Sequence, residues 1–120
     1  MNSEHSEHID VFGQLLNAWD GDGDIDLGAL ITDDYVGHML HLKSGERTAL
    51  MYPAWIAKFR EANPGTTFEV LEQHSAGTSL WSRLVATRGD GATSRGMNHS
   101  RFVDGRIAEE WALWSEWFRD

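Results

Sequence analysis

The sequence predicts an α+β domain, a curved, mostly antiparallel sheet covered on one face by helices, and three observations predict it. The first half carries apolar residues at helical spacing. The second half is a run of strand patterns separated by turn sequences. With 120 residues and no internal repeat or linker, the chain is expected to form one domain over residues 1–120 around one core.

In order along the chain, Ile9, Phe12, Leu15, Leu16 and Trp19 recur at three- and four-residue steps between Ser6 and Trp19, which is an amphipathic helix. A short helix is expected from about Asp26 to Ile31, and "TDDYVGHMLHL" reads as a strand. "RTALMYPAWIAKFREANPG" places Leu50, Met51, Ala54, Trp55, Ala57 and Phe59 on a helical stripe that ends at "NPG". Pro53 belongs in the first turn of that helix, where a missing N–H is tolerated. "TTFEVLEQHSAG", "TSLWSRLVAT", "TSRGMNHSRFV" and "RIAEEWALWSEW" follow as strands, separated by "AGT", "RGDGA" and "VDGR".

Composition removes several classes of function. The formal net charge of −9, with no basic run, argues against recognition of a nucleic acid by clustered Lys and Arg. No cysteine is present, so there is no disulfide, thiolate or Cys-based zinc chemistry. "MNSEHSEHID" lacks the apolar stretch of a signal peptide, and no apolar run is long enough to span a bilayer, so a cytoplasmic protein is expected. Six tryptophans supply large apolar faces for a core or for the pocket of a flat ligand.

"WDGDGDIDLG" sets Asp20, Asp22, Asp24 and Asp26 on alternate positions, as a calcium loop would. Counted from Asp20, however, the sixth place is Ile25 instead of Gly and the twelfth is Ile31 instead of a chelating Glu. The stretch reads as glycines that break one helix and an aspartate that caps the next. His38 and His41, three apart in a strand, point to opposite faces and make no metal site; His5 and His8 are expected in solvent. Neither metal nor cofactor is expected.

"DGDIDLGALITDDYVGH" and the closing hairpin "RFVDGRIAEEW" resemble the nuclear transport factor 2-like superfamily, and within it the SnoaL-like polyketide cyclases, over roughly residues 9–114. The resemblance implies a cone-shaped fold with about three helices in the N-terminal half and a cavity between helices and sheet. It constrains function weakly, because this fold hosts isomerases, dehydratases, cyclases, epoxide hydrolases and binders.

Candidate chemistry follows from the same resemblance. "MNHSRF" is similar to a strand of the related ketosteroid isomerases in which the residue at the place of Asn98 donates to the substrate oxyanion, a bond an amide can also make. Strand alternation leaves open whether Asn98 and Ser100 or His99 face the cavity. Aligning "DDYVGHM" with the isomerase base strand puts His38 at the base. The isomerase tyrosine on helix one has no counterpart, which argues against a steroid isomerase proper. Arg83, mid-strand in "LWSRLVAT", either snorkels outward or sits in the pocket as family members place it. Limonene-type epoxide hydrolases follow that Arg with an Asp two residues on, where this chain has Val85. On the last strand, Ala108, Glu110, Ala112 and Trp114 resemble the pocket side; Glu110 would stand in for the acid lost at Ala112, pairing Arg83 or orienting His38. Met51, Trp55 and Trp114 are expected as cavity wall and His74 at its edge.

The expected function is therefore cofactor-independent acid–base chemistry on a small apolar carbonyl compound, of cyclase or isomerase type. The alternative is a non-catalytic binding or assembly module on the same fold. A homodimer is expected, with no nucleic-acid or membrane partner, because a strand face bearing residues such as Trp81 and Met97 suits self-association.

Overall fold

Residues 3–21, 25–43 and 45–119 are described by a computed structural model, with side chains from residue 6 onward. The first helix, α1 (Ser3–Asp20), buries Phe12 and Leu15 of the stripe that the sequence marks, with Ala18 beside them, while Ile9 of that stripe is exposed. His8 lies on the same stripe and is 5% exposed, its ring stacked on Phe102 at 3.9 Å, so the expectation of a solvated His8 is corrected. Helical spacing explains the error: position 8 precedes Phe12 by four residues and shares its face. The side chain of His5, and Asp22 and Asp24 of the acidic stretch, lie outside the described residues.

Asp26 caps the next element as expected, accepting from the Gly28 N–H at 3.1 Å. That element is a short 3-10 helix, Leu27–Ala29, shorter than expected because β1 already begins at Ile31. Strand β1 (Ile31–Met39) follows, then β2 (Glu46–Thr48), α2 (Tyr52–Ala62), β3 (Thr67–Ala76), β4 (Ser79–Thr87), β5 (Thr93–Val103) and β6 (Arg106–Trp114). Two α-helices are thus present among the described residues, against about three expected. Short β2 occupies positions that the sequence pattern assigned to the start of the second helix. The helix begins at Tyr52, with Pro53 in its first turn and Tyr52 and Ile56 as its buried residues. Leu50 and Met51 precede it and stand 92% and 43% exposed, so they do not share its apolar stripe.

The six strands form one sheet in the order β2-β1-β6-β5-β4-β3. Four of its five pairings are antiparallel; β1 with β6 is parallel and joins the early strand to the late hairpins. The β5–β6 turn is the "DG" dipeptide, with Asp104 at φ 50° and Gly105 at φ 81°, the left-handed pair that a two-residue hairpin requires. Both helices cover one face of the sheet around a core of Phe12, Leu15, Tyr35, Tyr52, Leu80, Leu84 and Ile107. No helix among the described residues is long and apolar enough to cross a membrane.

Candidate functional site

Between the helices and the inner sheet face lies a cavity of about 570 Å³. Its wall is aromatic and aliphatic, with Phe12, Leu16 and Trp19 from α1, Trp55 and Phe59 from α2, and Trp114 from β6. Trp114 can lie flat over β5 because its cross-strand partner is Gly96; a Cβ there would run into the indole.

Strand alternation sets polar groups into this apolar wall. On β6 the inward residues are Ala108, Glu110, Ala112 and Trp114, as the family resemblance implies, and on β5 they include Asn98 and Ser100. Glu110 is 3% exposed and accepts three hydrogen bonds. Tyr35 Oη donates to Oε1 at 2.7 Å, while Asn98 Nδ2 and Ser100 Oγ donate to Oε2 at 3.0 and 2.8 Å. Asn98 Nδ2 also donates to Ser100 Oγ at 2.9 Å. A buried carboxylate is tolerable only with such donors, and here the donors are themselves buried. Burial, reinforced by the Glu110 charge, raises the Tyr35 pKa well above its ordinary 10.0, so Tyr35 is a neutral donor at physiological pH. Tyr52, pushed upward for the same reasons, accepts from Trp19 Nε1 at 2.7 Å and meets the Tyr35 ring edge-on.

A second polar group enters from β2. Arg47 is 4% exposed, and its guanidinium carbon lies 5.1 Å from the Trp19 ring, 5.2 Å from Tyr52 and 6.0 Å from Trp55. Its register partner on β1 is Gly37, which in turn pairs with Glu110. A Cβ on Gly37 would stand 2.6 Å from Tyr35 Oη and 3.3 Å from Arg47 Nε, so glycine keeps this space open for both. His41 lines the cavity too, its Nδ1 accepting from the Trp114 N–H at 3.3 Å. Burial and the nearby Arg47 charge lower the pKa of His41 below 6.5, so its imidazole is neutral at pH 7.

The inner side thus brings together Glu110, Asn98, Trp55, Ala112 and Trp114, with Ser100 directly behind the carboxylate. It does not hold His38. On β1 the inward residues are Tyr35, Gly37 and Met39, so His38 projects from the opposite face. There its Nε2 meets Glu109 Oε2 at 2.8 Å, and Glu46 lies 3.5 Å from Nδ1. His38 and Asn98 are separated by the sheet, contrary to the expected base and oxyanion pair. Arg83 is likewise outward and exposed, bonded to Glu72 at 3.3 Å, so it pairs with no cavity group. His74 shares Glu72 at 3.2 Å on the outer face, and Met51 is exposed ahead of α2. His99 points outward between Trp81 and Trp111, which leaves Asn98 as the inward residue of that pair. Both amide protons of Asn98 are spent on Ser100 and Glu110, so it buttresses the carboxylate in place of reaching freely into the cavity.

Arg47, Tyr52 and His41 are the cavity groups that the sequence reading missed, together with Tyr35, the buried donor to Glu110. Inward parity on β1 could have been taken from "DYVGH", where Tyr and Gly alternate with Val and His; the alignment on His38 overrode it. No pattern marks Arg47, because β2 is three residues long. Among the described residues, no group of three or more His, Asp or Glu side chains could hold a metal ion.

Comparison with known proteins agrees with this architecture. No curated protein matches the chain. Among solved structures it is similar to IdmH, a candidate polyketide cyclase from Streptomyces antibioticus, at 21% identity and a TM-score of 0.75, over 90% of this chain and 91% of that one. A candidate polyketide cyclase from Bacillus cereus is 19% identical with a TM-score of 0.80, over 91% and 74%. An NTF-2-like protein of unknown function from Burkholderia xenovorans is 16% identical with a TM-score of 0.77, over 99% and 91%. At these identities the likeness is one of fold. The SnoaL-like domain family matches residues 12–110, which is most of the chain and both sides of the cavity, and the chain is a member of that family.

Proposed function

We propose that the chain is a cofactor-independent enzyme that binds a small, flat, largely apolar carbonyl compound in the inner cavity and moves a proton next to the carbonyl. The observation that carries the reading is Glu110, a carboxylate at the floor of an apolar cavity, oriented by Tyr35, Asn98 and Ser100. Among the described residues that line the cavity it is the one acidic side chain, so it is the group placed to accept a proton from a bound carbon acid. Neighbours of the same fold that are candidate polyketide cyclases support the same class of chemistry. His38, Arg83 and His74 have no part in it.

A second reading, a binding module, draws on one observation of its own. The Glu110 oxygens and both amide protons of Asn98 are already engaged within the protein. Deuterium exchange separates the two readings. In D₂O the enzyme should accelerate α-proton exchange of 2-tetralone, followed by NMR, with Glu110→Gln slower by about 10²-fold or more and His38→Ala unchanged. If 2-tetralone binds and exchanges at the buffer rate, the cavity serves binding alone.

The homodimer is also proposed, through the outer sheet face. A row of rings crosses it, Trp81, His99, Trp111 and His38, with centroid spacings of 3.8, 5.0 and 5.5 Å. Trp81, Met97 and Leu113 are each half exposed or more, and Glu72, Arg83, Glu109 and Arg101 surround them with both signs of charge. An apolar centre within a mixed-charge rim can meet its own copy about a two-fold axis. Sedimentation of the wild-type chain and of Met97→Glu tests this; a monomeric wild type would refute it.

A further inference from the structure

Arg47 carries a charge that no carboxylate among the described residues answers. A guanidinium stays protonated at any working pH and presents five N–H groups in its plane. Three aromatic rings approach the Arg47 guanidinium, and ring faces stabilise the cation without accepting its in-plane protons strongly. The Nε atom is buried without an acceptor, and no carboxylate lies within the 4.0 Å of an ion pair among the described residues. Glu110, the carboxylate nearest in register, is across Gly37 and taken up by Tyr35, Asn98 and Ser100. Arg47 nevertheless lines the cavity, where a ligand oxygen could complete it.

Resting on the reading of this cavity as a ligand site, we propose that Arg47 anchors an anionic oxygen, and that the ligand is a flat apolar molecule bearing one carboxylate. The planar fork matches a carboxylate in two parallel hydrogen bonds, which a ketone oxygen cannot offer. The remainder of the ligand lies against Trp55, Phe59, Phe68 and Trp114, a wall with no further charge to satisfy apart from Lys58, an exposed residue of α2. Arg47 thereby sets the anionic end of the molecule at β2, with β1 between it and the strand that carries Glu110.

The test is a matched pair of probes, 2-naphthoate and its uncharged isostere 2-naphthamide, titrated calorimetrically into the wild-type chain at pH 7. The acid should bind tighter by roughly tenfold to a hundredfold, the range of a charge-assisted hydrogen-bond pair. Arg47→Met should bring the acid down to the amide while leaving the amide unchanged, and Arg47→Lys should keep part of the difference, as a point charge without the fork. The wild-type comparison needs no variant, so it decides even if Arg47→Met does not fold. Equal binding of acid and amide overturns the assignment and leaves the cavity reading standing. A preference that survives Arg47→Met overturns it as well, and moves the anion to Lys58. Binding of neither probe overturns both readings.

Discussion

Glu109 and Glu110 are neighbours on β6, and they occupy different physical worlds. Glu109 faces outward, shared between His38 and Arg101 at 2.8 and 3.2 Å, and those partners lower its pKa below 4.5. Glu110 faces inward, hardly touched by solvent, and is held by neutral donors alone. The outer face manages charge by pairing opposite signs where water can screen them. The inner face can keep charge only by giving each carboxylate oxygen a donor, which fixes geometry tightly. Positioned chemistry therefore belongs to the inner face, even though the outer face holds more histidines.

The comparison can be broken at that pair. Glu110→Ala removes the acceptor shared by the buried Tyr35, Asn98 and Ser100 donors, which should cost on the order of 3 kcal/mol or more. Glu109→Ala should shift the denaturation midpoint little, since solvent replaces its partners. Urea unfolding of the two variants checks this, with the slope unchanged; similar midpoints would erase the contrast.

Tyr35→Phe is the next step down. It removes one hydrogen bond to a buried carboxylate without opening a cavity, and should cost about 2 kcal/mol in the same urea experiment. No loss would mean that the phenol does not hold Glu110.

The smallest effect lies on the outer face and sharpens the comparison through pH. Burial between its neighbours lowers the pKa of His99 below 6.5. A histidine whose folded pKa is depressed binds fewer protons when folded. Its contribution is therefore intact above pH 6.5 and is lost as pH falls through the lower folded value. The wild-type midpoint should drop more steeply on the acid side of pH 6.5 than that of His99→Gln. Parallel curves for the two would show that His99 carries none of the dependence.

Where the chain repeats a pattern, the sequence is readable, and where one residue of parity decides, it is not. The α1 stripe, the "DG" hairpin and the strands from Thr67 onward follow from spacing alone, because each rests on several residues that agree, and the inward face of β6 follows from the resemblance of its closing strand. Asn98 falls on the inner face, a choice against His99 that alternation alone leaves open. His38 does not, because a strand aligned one residue off sends every side chain to the other side, and the motif around His38 is too short to fix its own register. Arg47 was illegible for a different reason. Three-residue β2 has no period to detect, and the burial of its arginine depends on rings contributed by α1 and α2.

The central claim is that the functional face of the sheet is the inner one, and the six tryptophans report on it directly. Trp19, Trp55, Trp114 and Trp117 line the cavity, whereas Trp81 and Trp111 belong to the outer face. Their indole N–H signals in a ¹H–¹⁵N spectrum, assigned by single Trp→Phe variants, can be followed during titration with the neutral probe 2-naphthamide. The account predicts that Trp55 and Trp114 shift strongly while Trp81 and Trp111 stay in place. Shifts confined to Trp81 and Trp111 would contradict it and transfer the site to the face that carries His38.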